Sequence, residues 1–508
     1  MFFYFYSIND SIMNRISVLA YCIILAVTIF LGCKRKTNIV IEGNIAGYSN
    51  QSVCIYPAQS VYINQPYGEP LQCINTDENG DISFTINAKD DNFYYLFTQD
   101  QQLIVETPIL AGEDDSIGFR TSIYNLSTPE FLGNNADFNR YMLHQSQSLS
   151  RTFRYNRVNE WPIDEFVCFA DSIELEYLNV LDSMALSRSV GEKGIKMLKA
   201  DLHLFMACKR FEYLRHHINE TQGEWRYLVP GKRYYSFKDK LFDITSEFWF
   251  LPNFSQAVEA MLEDDFQNFA EVISNPVEMN SKRFELKLQI VDSDYQGVVK
   301  EVALTQLARR FPEYLSSPDF YKNMDAADSI MKSLSREPTL LEYFKKQVDK
   351  VSTIKPGAIA PNFILPNRTG EMVSLDEFKG KVVLLIFWGT WCPPCLTSIP
   401  KYIDFQEIFK DQEFAAIFIS LEARRDDVEA WRMFIEGKGN LAERLLNRKS
   451  FPGVHLVAQG QFANPQVQPY VITYAPSYVI IDKEGLIVSP RVNLDDSLVS
   501  QVKRLVQQ

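Results

Sequence analysis

The chain has 508 residues, 46% of them hydrophobic, and a formal charge of −13. That length suits about three domains, each able to bury a core of its own. The acidic balance excludes a general nucleic-acid binder, which needs a basic face to neutralise phosphates.

Near the start, Ile16 to Leu31 reads ISVLAYCIILAVTIFL, an uncharged run after Arg15 and before Gly32, Cys33 and Lys34-Arg35-Lys36. It is short for a membrane span. A basic flank, an apolar centre and a small residue at the end mark residues 1–32 as a secretory signal peptide. FLGC resembles a bacterial lipobox, with Phe30 where that pattern usually has Leu. Cys33 is therefore the expected lipidation site, and the expected product is a membrane-anchored envelope lipoprotein facing the periplasm. An uncleaved anchor and simple secretion are the alternatives, and both also carry the bulk of the chain out of the cytoplasm. MFFYFYSINDSI does not resemble a basic leader, whereas MNR runs directly into the apolar stretch, so Met13 is the expected true start.

Residues 33–125 are strand-like. Short runs such as NIVIEGNIAGY, SVCIYPA, DISFTINA and FYYLFTQ alternate or are rich in β-branched residues, and clusters such as DENGD separate them. The expectation is an all-β, sandwich-like domain. Cys54 and Cys73 lie on neighbouring runs and are either bridged or two buried thiols, the second being the plainer reading. Residues 126–350 change to helical periodicity, an all-α domain studded with Phe and Tyr that read as core. Cys168 and Cys208 are expected on buried helix faces. His216 and His217 are adjacent, so on a helix they diverge and do not make the i, i+4 pair used for zinc.

Residues 351–508 open with STIKPGAIAPNF, whose prolines and glycine break the helix. Lys381 to Trp388, KVVLLIFW, is a near-continuous apolar run and reads as a buried parallel strand. FWGTWCPPCLTSIP follows with a helix, EFAAIFISL is a second buried strand, and DDVEAWRMFIEG is helical. PSYVIID and LIVSP make a hairpin around KEG, and an amphipathic helix with Leu498, Val502, Leu505 and Val506 on one stripe closes the chain. The expected fold is α/β, thioredoxin-like.

A C-x-x-C pair serves zinc sites as readily as redox sites. Zinc needs four ligands, and the sequence holds no second pair to supply the rest, so no metal is expected. A bridge between residues three apart closes a tiny loop and gains little chain entropy, which makes a purely structural disulfide a poor reading. Redox chemistry remains. Cys392 begins a helix directly after a buried strand, where unpaired N–H groups favour thiolate, so it is the expected nucleophile. Cys395, one turn further in, is shielded and placed to resolve the mixed disulfide. Pro393 and Pro394 remove two N–H groups from the first turn and leave Cys395 N–H as the nearest backbone donor. Fewer donors mean a moderate thiolate and a poise nearer to reducing thioredoxins than to strong oxidants.

GAIAPNF, GEMVSLDEFKGKVVLLIFWGTWCPPC and APSYVIIDKEG resemble the TlpA/ResA-like branch of the thioredoxin superfamily, exported thiol–disulfide oxidoreductases. The resemblance implies that Pro476 is a cis-proline facing the dithiol, that Ala475 offers backbone groups to a substrate strand, and that Trp391 lies on the substrate-contacting surface. It also implies that Pro400 kinks the active-site helix. Two positions depart from the pattern. Ile386 stands where many thioredoxins bury an acid, and Ser398 stands where members devoted to cytochrome c often have Glu. Peroxiredoxins share words such as APNF, but they need Thr or Ser three residues before the reactive Cys, and Gly389 occupies that place.

The expected function is an exported protein-disulfide reductase. Its substrates are protein thiols and disulfides, its electron source a membrane reductant of the DsbD/CcdA kind, its membrane contact the lipid anchor, and it needs no cofactor. The rival is a lipid-anchored binding protein that uses the thioredoxin fold as a scaffold.

Overall fold

The computed structural model describes residues 38–508 apart from 64, 68, 88–91, 102, 105–107, 113–114, 123, 156–157, 188–189, 221–233, 271–280 and 335. The signal run 1–32, Met13 and Cys33 lie outside the described residues. Among the described residues, no helix is long and apolar enough to cross a membrane. The chain forms two compact units: residues up to 58 with 69–152 and 180–196, and residues 59–68, 153–179 and 197–508.

The first unit holds β1 (Asn38–Ala46) and β2 (Ser52–Pro57), while β3 (Val61–Tyr62) and β4 (Gln65–Pro66) form a short ladder in the second. The first unit continues with β5 (Gln72–Asn75), β6 (Asp81–Asn87), β7 (Asn92–Thr98), β8 (Ile109–Ala111), β9 (Ser116–Ser122) and β10 (Asn125–Gly133). Two sheets result, in the orders β10-β9-β1-β6 and β5-β2-β7-β8. Period-2 alternation sends Ile82, Phe84 and Ile86 of β6 to one face, with Ile39 and Ile41 of β1. They meet Val53 and Ile55 of β2 and Leu96 of β7 in one core, so the sheets pack as a sandwich. DENGD makes the turn between β5 and β6. Asp77 Oδ1 accepts from the N–H groups of Asn79 and Asp81, and Gly80 supplies the φ of +84°. β2 and β5 place Cys54 directly opposite Cys73, and the two are joined by a disulfide. The plainer reading of two buried thiols does not hold: Cys54 is buried, but Cys73 lies on the exposed side of an edge strand.

The helices are α1 (Ala136–Tyr155), α2 (Ile163–Ser187), α3 (Glu192–Glu220), α4 (Lys238–Thr245), α5 (Pro252–Ala270), α6 (Arg283–Asp294), α7 (Gly297–Arg309), α8 (Phe311–Tyr314), α9 (Phe320–Leu334) and α10 (Pro338–Ser352). α7 is buried along Glu301–Ala308. Phe284 stacks on Tyr314, meets Phe311 edge-on and lies tilted against Phe320, so these rings are core. Cys168 departs from expectation: Phe166 and Ala170 form the buried face of α2, and Cys168, two residues from each, turns outward and is exposed. Cys208 is half-buried, its Sγ is 3.7 Å from Asn253 O, and burial pushes its thiol up to about 12.

The C-terminal part contains β11 (Ile364–Pro366), β12 (Met372–Ser374), β13 (Val382–Trp388), α11 (Pro393–Thr397), α12 (Ile399–Phe409), β14 (Phe414–Glu422), α13 (Arg425–Ile435), α14 (Gly439–Leu446), β15 (Val454–Gln459), β16 (Ser477–Ile481), β17 (Ile487–Ser489) and α15 (Asp496–Gln507). Its sheet runs β15-β14-β13-β16-β17, with β13 parallel to β14, β14 parallel to β15, and β16 and β17 antiparallel. This is the thioredoxin-like α/β fold. β13 is buried throughout, because helices and loops cover both faces of a central strand. α15 packs Leu498 and Val502 into the core, with Leu505 and Val506 at its margin. β15 is an addition to the expected order. Its six residues sit between Gly453 and Gly460 and read in sequence as part of a polar loop.

The Cys54–Cys73 bridge closes a separation of 19 residues, which constrains the unfolded chain by about 3 kcal/mol. Non-reducing peptide mapping is expected to find Cys54 linked to Cys73 with Cys168 and Cys208 free. Replacing both bridge cysteines with Ala is expected to lower unfolding free energy by about that amount. An unchanged denaturation midpoint contradicts this.

Candidate redox site

β13 ends at Trp388, and four residues later Cys392 is the N-cap of α11 in extended conformation, φ −100° and ψ 100°. Pro393 and Pro394 occupy the first helical positions, where their missing N–H groups cost no internal helix bond. Cys395 N–H is left pointing at Cys392 Sγ, 3.3 Å away. Pro400 has no N–H for the carbonyl one turn back, so the helix breaks at Ser398 and resumes as α12. Cys392 and Cys395 are joined in a disulfide. Cys395 is 0% exposed and Cys392 only 2%, so of the two only Cys392 keeps any exposure to solvent.

The loop before β16 covers that approach. The Ala475–Pro476 peptide is cis, the isomer the resemblance implies, and the Ala475 carbonyl oxygen is 3.5 Å from Cys392 Sγ. On the other side stands Trp391, 43% exposed, whose indole N–H donates to Leu421 O and whose ring meets Phe462 edge-on at 6.1 Å. The ring's position explains Gly389. A Cβ there would lie 2.4 Å from Trp391 Nε1, so Thr or Ser at this position cannot coexist with the observed indole. The structure thus brings Cys392, Cys395, Trp391, Ala475 and Pro476 together.

Glu422 was not singled out from the sequence. It ends β14 with no solvent exposure, and its carboxylate accepts from Thr390 N–H at 3.0 Å, Thr390 Oγ1 at 3.2 Å and Ser420 Oγ at 2.7 Å. A buried carboxylate is tolerated only with its acceptors filled, and these donors fill them. Glu422 thereby holds the residue two before Cys392, beside the Leu421 carbonyl that holds Trp391. The available signal was an acid closing an otherwise apolar buried strand, FAAIFISLE. Chemically, the arrangement sets one sulfur of a disulfide beside the half-buried Ala475 backbone and an aromatic ring, with the second sulfur fully buried.

Residues 356–489 match the AhpC/TSA family. The chain is 31% identical over 145 residues to the thioredoxin-like protein YneN of Bacillus subtilis, covering 28% of this chain and 74% of the relative. It is 30% identical over 134 residues to the thiol–disulfide oxidoreductase ResA of Geobacillus kaustophilus, covering 26% and 67% respectively. A solved thioredoxin domain of a thiol–disulfide oxidoreductase from Bacteroides vulgatus aligns with 27% identity over 30% of this chain and 98% of its own, with a TM-score of 0.25.

Removing the Glu422 acceptor is expected to weaken the fold at the site itself. Glu422→Ala leaves Thr390 N–H buried without a partner and is expected to cost at least about 2 kcal/mol in a urea melt, with Glu422→Gln in between. A cost within about 0.5 kcal/mol, as for a surface change, contradicts the described network.

Proposed function

Because the chain belongs to the ResA-like thioredoxin-fold thiol–disulfide oxidoreductases, we propose that residues 351–508 carry its chemistry through Cys392 and Cys395, reducing disulfides of protein substrates outside the cytoplasm. The observation that carries the reading is the placement of Cys392 at a helix N-cap, bonded to a fully buried Cys395 and facing the Ala475 carbonyl. In the reducing direction Cys392 thiolate attacks a substrate disulfide and forms a mixed disulfide. Cys395 then attacks Cys392, the substrate leaves as a thiol, and two electrons have passed to it. Trp391, Ala475 and Pro476 form the surface on which the substrate strand lies.

The reducing direction is supported by the donor count. With Pro393 and Pro394 at the first two helical positions, Cys395 N–H is the backbone donor aimed at Cys392 Sγ. Export and a lipid anchor at Cys33 are supported by the apolar run and the Gly32-Cys33 junction. An exported dithiol needs its electrons resupplied from across the membrane, which a reductant of the DsbD/CcdA kind provides.

Trapping tests the reading. In cells, a Cys395→Ser variant is expected to accumulate mixed disulfides with envelope proteins through Cys392, while a variant lacking both cysteines captures nothing. If Cys395→Ser also captures nothing, the scaffold-type binding protein is the better account.

A further inference from the structure

The loop that faces Cys392 runs from Ile472 to Pro476, and a fixed point bounds it at either end. At its exit Ser477 opens β16, lies opposite Phe387 of β13, and donates its hydroxyl hydrogen to Tyr474 O at 2.7 Å. At its entry stands Arg491, only 4% exposed. Nη2 of its guanidinium donates both to Tyr470 O, at 3.3 Å, and to Val471 O, while Nη1 donates to Pro490 O. The backbone of Arg491 is itself tied to the sheet. Ser489, at the end of β17, donates to Arg491 O at 2.9 Å, and the N–H of Val492 donates to Tyr478 O of β16 at 3.3 Å.

Both halves of this contact are unfavourable taken alone. A buried charge is normally met by an opposite one, yet among the described residues the hydrogen bonds of this guanidinium go to main-chain carbonyls. Burial brings its pKa down to about 10, so it stays charged at neutral pH. An apolar side chain would fill the same space more easily. Val471, for its part, ends the short turn Gln468–Tyr470 at φ +54° and ψ 39°, a left-handed conformation that a β-branched residue disfavours. Such a conformation persists where its surroundings over-determine it. The buried side chains of Val471 and Ile472, with the Tyr470 ring 5.5 Å from that of Phe387, fix where the turn sits. The guanidinium fixes which way its carbonyls point. Four residues after Val471, Ala475 O lies 3.5 Å from Cys392 Sγ.

We propose that Arg491 is a positioning residue of the redox site: by holding the Tyr470 and Val471 carbonyls it sets the direction in which the chain leaves the turn, and so where Ala475 meets Cys392 and a substrate strand. The proposal rests on the dithiol reading above, in which that loop receives the substrate. Cys392 and Cys395 follow β13 on a separate segment, so loss of the guanidinium acts on docking and far less on exchange between the two sulfurs.

The test follows steady-state reduction of a dye-quenched peptide disulfide by the full-length protein, with saturating dithiothreitol as the electron source. Arg491→Met keeps most of the buried volume but no donor, and is expected to raise KM about tenfold or more while kcat falls by less than about threefold. Arg491→Lys keeps the charge and a donor for Val471 O, and is expected in between. A contact that serves only the fold lowers the melting temperature and leaves the KM of the folded protein where it was. Wild-type KM in both folded variants therefore overturns the proposal, as does a loss confined to kcat, which places the effect at the sulfurs. If Arg491→Met does not fold, Arg491→Lys decides by the same outcomes. A wild-type chain that leaves the peptide disulfide intact counts against the dithiol reading instead.

Discussion

The redox site depends on one strand buried on both faces. Val382–Trp388 is paired in parallel with β14 and in antiparallel fashion with β16, and each of its side chains is lost to solvent. Burial at roughly 1.5–3 kcal/mol per large apolar side chain outweighs any single hydrogen bond of the site, at roughly 1 kcal/mol. The strand is therefore the fixed element, and the site is assembled from what its neighbours deliver at its end. β14 delivers Glu422 and the Leu421 carbonyl, β16 begins at the cis Ala475–Pro476 loop, and the strand's own continuation delivers Thr390, Trp391 and Cys392.

Proline acts three times on this frame, each time by withholding a donor. Pro393 and Pro394 strip the first turn and leave Cys395 N–H facing the sulfur of Cys392. Pro400 interrupts the helix at Ser398, whose hydroxyl donates to the Pro394 carbonyl at 2.9 Å.

Much of this was legible from the residues. KVVLLIFW is apolar without alternation, which is what a doubly covered parallel strand requires, and CPPC directly after it can only begin a helix. The β-sandwich was legible from runs such as DISFTINA, because a half-buried strand must alternate. What was not legible depends on register and on long-range pairing. Cys54 and Cys73 become a bridge only because β2 and β5 align them. Glu422 was passed over because its partner Thr390 lies on another segment of the chain. Cys168 shows the opposite limit, since a helix of mixed pattern leaves the choice of buried face to its packing partners.

The central claim is that a sheltered dithiol with a donor-poor first turn gives electrons to its substrates. The most direct measurement equilibrates the full-length protein with thiol–disulfide buffers and reads the Cys392–Cys395 potential from the trapped thiols. The account predicts a value nearer to about −270 mV, the reducing end of the thioredoxin range. A value near about −120 mV, that of a strong disulfide donor, contradicts it.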